Sequence, residues 1–174
     1  NTTIRDYTKA LKTYEFSEAT HLIYHFFWSD LCDWYLEIIK PRLYNGDASV
    51  AKIIPHIFSN LLRMLHPFIP FITEELWQKF KEKYSQEFSS EALVVAQWPD
   101  ADESQIDAKT EKTMGTLIDI IRGVRDIRNK NIIERKQVIS LIASAESEEV
   151  LKKLKEHEEL IKHQANLSEI KWGV

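Results

Sequence analysis

The sequence predicts a mainly α fold: a helical bundle followed by a small carboxy-terminal α/β unit. Three observations predict it. Apolar residues recur at helical spacing through most of residues 1–133. Glycine and proline are scarce, four and five among 174 residues, so little of the chain is turn-rich. Strand-favouring patches come near the end, Val138, Ile139, Leu141 and Ile142 and then Ile170 and Trp172, on either side of a charged helical stretch. The bundle is expected over 1–133 and the α/β appendage over 134–174.

Ile4, Tyr7, Leu11 and Tyr14 predict a first helix over 3–14. Ser17 is placed to cap the next one, which is expected to end at Lys40, because Pro41 disfavours helical geometry in the residue before it. At roughly 100° per residue, Ile23, Phe27, Leu31, Trp34, Tyr35 and Ile38 form a broad apolar arc, widened by Trp28, Cys32 and Ile39. Ser29, Asp30, Asp33 and Glu37 hold the remaining polar strip. A helix this apolar belongs near the middle of a bundle. Asn45, Gly46 and Asp47 punctuate the chain, and a third helix over 48–65 carries Val50, Ile53, Ile54, Ile57, Phe58, Leu61, Leu62 and Leu65. Pro55 is expected to kink or restart it.

His66-Pro67-Phe68-Ile69-Pro70 reads as a rigid connector, and Thr73, Glu74 and Glu75 open a fourth helix ending near Lys83. Residues 84–104 look irregular, with Leu93, Val94 and Val95 extended and Trp98-Pro99 closing the segment. A fifth helix is expected over 107–129. The last portion reads as strand (138–142), charged helix (148–163) and strand (170–172).

At 44% hydrophobic and 29% charged, the chain suits one compact domain, or one with an appendage, and is long enough to bury a core. Asn1 rather than Met at the start reads as a piece of something longer. Cys32 is the only cysteine, so no disulfide closes within the chain, which fits a reducing compartment and a cytoplasmic location. No run of about 18 apolar residues is present to span a membrane. The net charge of −4 argues against bulk nucleic-acid binding. Its distribution says more: Arg122, Arg125, Arg128, Lys130, Arg135 and Lys136 face only Asp126 and Glu134, a basic stretch in an acidic chain.

Little catalytic chemistry is legible. The four glycines are scattered singly, so no phosphate loop exists. His21 and His25 lie four apart on one helix with no third metal ligand nearby, which favours ordinary packing or solvation. Cys32 reads as a small buried hydrophobe, and Asp30, Asp33 and Glu37 as a solvated or ion-paired strip rather than a general acid/base pair. Arg125 and Arg128 project from the side that holds Leu117, Ile118 and Ile121. Two readings stand for them: contact with an anionic partner such as phosphate, or bridges to the acidic strip or the terminal α/β unit.

Three segments together resemble the anticodon-binding domain of the valyl-tRNA synthetases. The first is Phe26-Phe27-Trp28-Ser29-Asp30-Leu31-Cys32-Asp33-Trp34-Tyr35-Leu36-Glu37, continuing to Lys40-Pro41. The second is Leu65-His66-Pro67-Phe68-Ile69-Pro70-Phe71-Ile72-Thr73-Glu74-Glu75-Leu76-Trp77-Gln78. The third is Trp98-Pro99 followed by a helix with Arg122, Arg125 and Arg128. The second is shared loosely with isoleucyl and leucyl enzymes; the first is valyl-like. The resemblance covers nearly the whole chain.

It implies a parent that ligates valine to its tRNA with ATP and magnesium and hydrolyses mischarged threonyl-tRNA in an editing domain. That parent is expected to be monomeric. The class I signatures His-Ile-Gly-His and Lys-Met-Ser-Lys-Ser are absent here, so the catalytic and editing domains are expected elsewhere in the parent, and no cofactor is expected in this stretch. Against the family pattern, Pro55 interrupts a usually unbroken helix, and the family's first bundle helix and carboxy-terminal coiled coil are missing. The family reads valine's central adenosine and the following cytidine. Basic and aromatic residues near helix ends are the candidates for that contact: Lys40, Arg42, Tyr44, Lys52, Arg63 and His66. Arg122, Arg125 and Arg128 are expected on the tRNA backbone, and Trp34, Trp77, Phe68 and Phe71 in the core. An isoleucyl-type relative or a helical protein-docking module are the alternatives.

Overall fold

A computed structural model describes residues 1–145 and 147–173. The chain divides into two compact units, Asn1–Ile106 and Asp107–Val174.

In the first unit, α1 (Thr2–Lys12) closes with Tyr14 N–H on Leu11 O at 3.1 Å and Glu15 N–H on Ala10 O at 2.8 Å. This is a Schellman ending, and it puts Tyr14 at φ +60°. A single helical rod follows: α2 (Phe16–His25), a π-wound stretch Phe26–Tyr35, and α3 (Leu36–Tyr44). It starts one residue before the expected cap, Ser17, and its N-cap residue Glu15 makes no side-chain cap bond. It also runs through Pro41 instead of stopping at Lys40. A proline near a helix end forfeits one hydrogen bond, and here Asn45, Gly46 and Asp47 N–H still close on Pro41, Leu43 and Arg42 O. The wide π turns alter the expected arc, since Leu31 and Trp34 are buried whereas Trp28 is 53% exposed.

Asp47 caps α4 (Ala48–Leu65) by accepting Ser49 N–H at 3.0 Å. Of the kink or restart expected at Pro55, the restart does not occur, since the helix is continuous from Ala48 to Leu65. Pro55 is itself buried, so its ring packs where the lost backbone bond would have been the only consequence. Helix α5 (Pro70–Lys81) opens at Pro70 rather than Thr73, because proline suits the first helical position. Thr73 then lies inside the first turn, its buried hydroxyl donating to Ile69 O at 2.9 Å and facing His66 Nδ1 at 2.8 Å. Leu93–Val95 forms a 3-10 turn, not an extended run.

One core cluster joins Ile4, Tyr7, Ala10, Ala19, Ile23, Leu31, Leu61 and Met64; a second joins Leu62, Trp77, Phe88 and Leu93. Trp34 and Trp77 are buried as expected. Phe68 and Phe71 are not: they are 36% and 90% exposed, a correction. With α5 starting at Pro70, the inward positions of its first turns fall to Thr73 and Trp77.

In the second unit, Asp107 caps α6 (Ala108–Lys130), accepting Lys109 and Thr110 N–H. Strand β1 (Ile139–Ser144), helices α7 (Glu148–Glu156) and α8 (Glu158–Ala165), and strand β2 (Leu167–Gly173) complete it. The strands pair in parallel, Leu141 opposite Ile170 and Ala143 opposite Trp172. The expected single charged helix breaks at His157 into α7 and α8. Helix α6 packs on α8, burying Leu117, Ile121, Val124 and Ile161. The long helix therefore groups with the α/β unit, whereas the sequence reading placed it in a bundle ending at 133.

Candidate nucleic-acid interface

Four of the nine candidate residues share the corner between α3 and α4. Lys40 is exposed and ion-pairs with Glu37 one turn back. Arg42 reaches across the turn, Nε to Asp47 Oδ2 at 2.9 Å and Nη2 to Ser49 Oγ at 3.3 Å. Tyr44 is 83% exposed, and Lys52 lies exposed in the opening turns of α4. Gly46 at φ +77° closes the turn without the strain that a side chain would carry there. Bonds from Ser49 and then Arg42 hold the Asp47 carboxyl down at about 2. The corner thus presents cations and a ring on a backbone clamped by Asp47.

Arg63 is different. Its Nη2 donates to Ser59 Oγ at 3.1 Å and Glu87 O at 3.4 Å, and Nη1 to Gln97 O at 3.4 Å. The guanidinium lies 5.7 Å from the centroid of the Trp77 ring. Burial pushes its pKa down, and Nε is buried with no hydrogen-bond partner among the described residues. It ties the irregular segment after α5 to α4. His66 is half-buried against Thr73.

The three α6 arginines separate by depth. Arg122 is exposed beside Asp119 at 3.8 Å. Arg125 is half-buried, with Nη2 donating to Gln164 O at 3.1 Å. Arg128 is 5% exposed: Nη1 donates to Glu134 O and Gln137 O at 3.2 and 2.8 Å, and Nη2 to Asn166 O at 2.8 Å. Carbonyls at a helix end lack intrahelical partners, and the end of α8 finds them in Arg125 and Arg128. The stripe turns basic because it meets those carbonyls, not because it leaves the core. Of the two readings open in the sequence, the bridge to the terminal unit describes the surroundings of Arg125 and Arg128.

The remaining sequence features are ordinary. His21 and His25 are both exposed, rings 6.4 Å apart, and no group of three potential metal ligands occurs among the described residues. Cys32 is half-buried, its thiol pushed up by burial and by Asp33. No described helix is long and apolar enough to cross a membrane. Sequence reasoning overlooked two surfaces. One is the aromatic line Tyr14, Phe16, Tyr24 and Trp28, all at least half exposed, with Tyr24 and Trp28 rings parallel within 3°. The other is the turn after α6, whose lysines and arginine were visible in the basic run but not singled out.

A family model described as the anticodon-binding domain of tRNA ligase matches residues 1–143. The valine–tRNA ligase of Thermotoga maritima is 37% identical over 172 residues, 98% of this chain and 18% of that protein. The Bacillus cereus valine–tRNA ligase is 36% identical over 174 residues, 98% of this chain and 19% of its own length. That of Fervidobacterium nodosum is 45% identical over 127 residues, 72% of this chain and 14% of its own. The chain therefore spans under a fifth of the length of these relatives.

Proposed function

This chain belongs to the anticodon-binding domain family of tRNA ligases, and from that premise we propose that it grips the anticodon arm of valine tRNA for a longer valine–tRNA ligase. The observation that carries the reading is the match to valine–tRNA ligases along 98% of the chain. Valine activation with ATP and magnesium, and editing, would belong to other domains of a cytoplasmic parent. Partners are then the tRNA and those domains.

Within the chain, the exposed corner of Lys40, Arg42, Tyr44 and Lys52 is the proposed anticodon-facing surface. Its chemistry fits the task, since unstacked bases are held by stacking on rings and by hydrogen bonds, and nearby phosphates by cations. The Asp47 clamp fixes the corner before RNA arrives, which lowers the ordering cost of binding. Arg63, His66, Arg125 and Arg128 are positioning residues in this reading. They hold the segment after α5 and the α8 end in place, while Arg122 remains an exposed candidate for the tRNA backbone.

The test is binding of full-length Arg42→Ala and Tyr44→Ala proteins to valine and non-valine tRNAs. Discrimination should fall by roughly tenfold, the effect of one lost specific contact worth about 1–3 kcal/mol. Unchanged discrimination with native thermal stability would remove the corner from the anticodon site. A wild-type protein that binds no tRNA, or binds it with no dependence on salt, would instead favour a protein-docking module.

A further inference from the structure

We propose that the turn after α6, residues 130–136, is a contact for RNA backbone phosphates, distinct from the α3–α4 corner; the proposal rests on the tRNA-binding reading above. Lys130, Arg135 and Lys136 are all exposed. Among the described residues, no carboxylate lies within ion-pair distance of any of the three. The cations named in the sequence reading are mostly engaged: Arg42 by Asp47, Arg63, Arg125 and Arg128 by carbonyls. The turn holds an unspent cluster, opposed only by exposed Glu134.

The cluster is also held rigidly. Ile132 N–H bonds Asn129 O at 3.3 Å, Ile133 N–H bonds Arg128 O at 2.9 Å, and Asn131 Nδ2 bonds Ile127 O at 2.8 Å. Arg128 holds the carbonyls of Glu134 and Gln137, and Asn166 Nδ2 holds that of Arg135 at 2.9 Å. Backbone polar groups are thus satisfied from within, and the charged side chains are left for a partner. Ile132 sits at φ +54° and 92% exposed, an unusual place for a β-branched residue. That conformation belongs to the Schellman ending of α6, which fixes the start of the turn.

Exposed cations carried on a bonded backbone, without base-reading geometry, suit the repeated charges of a nucleic-acid backbone. Such contacts set position and carry no direct sequence information. The turn would orient the tRNA while another surface reads it. It also takes over the backbone contact expected from Arg125 and Arg128, because those two bond the carbonyls at the end of α8.

The experiment uses the full-length protein with Lys130→Ala, Arg135→Ala and Lys136→Ala together, and transcripts of one valine and one non-valine tRNA. Binding is followed by fluorescence anisotropy across a salt series. Each lost phosphate contact lowers the slope of log affinity against log salt by roughly one, so the slope should fall by about two to three. Affinity for both tRNAs should fall alike, with an unchanged melting temperature, because the deleted side chains are exposed. Wild-type slope and affinity in the folded triple variant would overturn the proposal, as would a loss confined to valine tRNA. Should the triple variant fail to fold, Glu134→Lys decides: a steeper slope and tighter binding support the contact, no change overturns it. If the wild-type protein binds neither tRNA, the underlying functional reading fails as well, which the variants alone cannot cause.

Discussion

Replacing Ile132 by glycine should stabilise this protein, although it deletes a large apolar side chain. Three helices among those described close through Schellman bonds, after Lys12, Tyr44 and Lys130. The left-handed residue is glycine only once, at Gly46 with φ +77°; elsewhere it is Tyr14 at +60° and Ile132 at +54°. For an L side chain this conformation costs about 1–2 kcal/mol, with a β-branched residue near the upper end. Glycine removes that cost but adds about 0.5–1 kcal/mol of unfolded-chain entropy. Ile132 is 92% exposed, so almost no burial is forfeited. The balance is a gain near 1 kcal/mol for Ile132→Gly, readable in urea unfolding as a raised midpoint at constant slope. Tyr14→Gly should gain less, because the edge contact of Tyr14 with Phe16 at 6.1 Å is lost. Gly46→Ala should lose about 1 kcal/mol through backbone strain alone, since a Cβ there meets nothing within 4 Å. If Ile132→Gly were less stable than wild type while Gly46→Ala lost stability as stated, the reasoning about Ile132 would be refuted.

Two further outcomes follow from the same structure. Arg128→Met should destabilise by about 2–4 kcal/mol, since three carbonyls lose a charged donor, yet leave the tRNA affinity of the folded protein unchanged. Intact stability with weakened tRNA binding would instead make Arg128 a phosphate contact. Asp47 titrates at about 2 in the folded chain against an ordinary 3.8, so its folded pKa is depressed. Its contribution is present above the unfolded value and lost as pH falls through about 4 toward about 2. Asp47→Asn should flatten stability against pH in that window relative to wild type, and an unchanged acid profile would contradict the clamp.

How much was legible follows from the range of each signal. Helix existence was local: the apolar stripes of α1, α4 and α6 depend on spacing, and the start of α4 after Asp47 on a side chain two residues from its partner. The three motif segments lie within short stretches too, so family membership could be read before any fold. Boundaries were less secure where a proline was involved. Pro41, Pro55 and Pro70 each read locally as an interruption, yet each sits inside or at the start of a helix. Propensity penalises one missing hydrogen bond, and tertiary packing outweighs it.

The candidate site divides the same way. Residue type and position near a helix end placed Lys40, Arg42, Tyr44 and Lys52 together, because one turn joins the two helices. Depth was invisible. Arg63 and Arg128 differ from Arg42 and Arg122 not in chemistry but in which carbonyls approach them, those of Glu87, Gln97, Gln137 and Asn166. These partners lie up to 38 residues away, and no periodicity reports them.

By itself, then, the sequence determined the mainly α class, the order of helices, the terminal β-α-β pattern and the family, because each rests on spacing within a few turns of chain. Only the tertiary structure decided that α6 joins the second unit, that Phe71 faces solvent, and which arginines lie buried against backbone carbonyls. Those outcomes depend on long-range contacts, where a desolvated charge must find carbonyls or stay in water, and that choice is made in three dimensions.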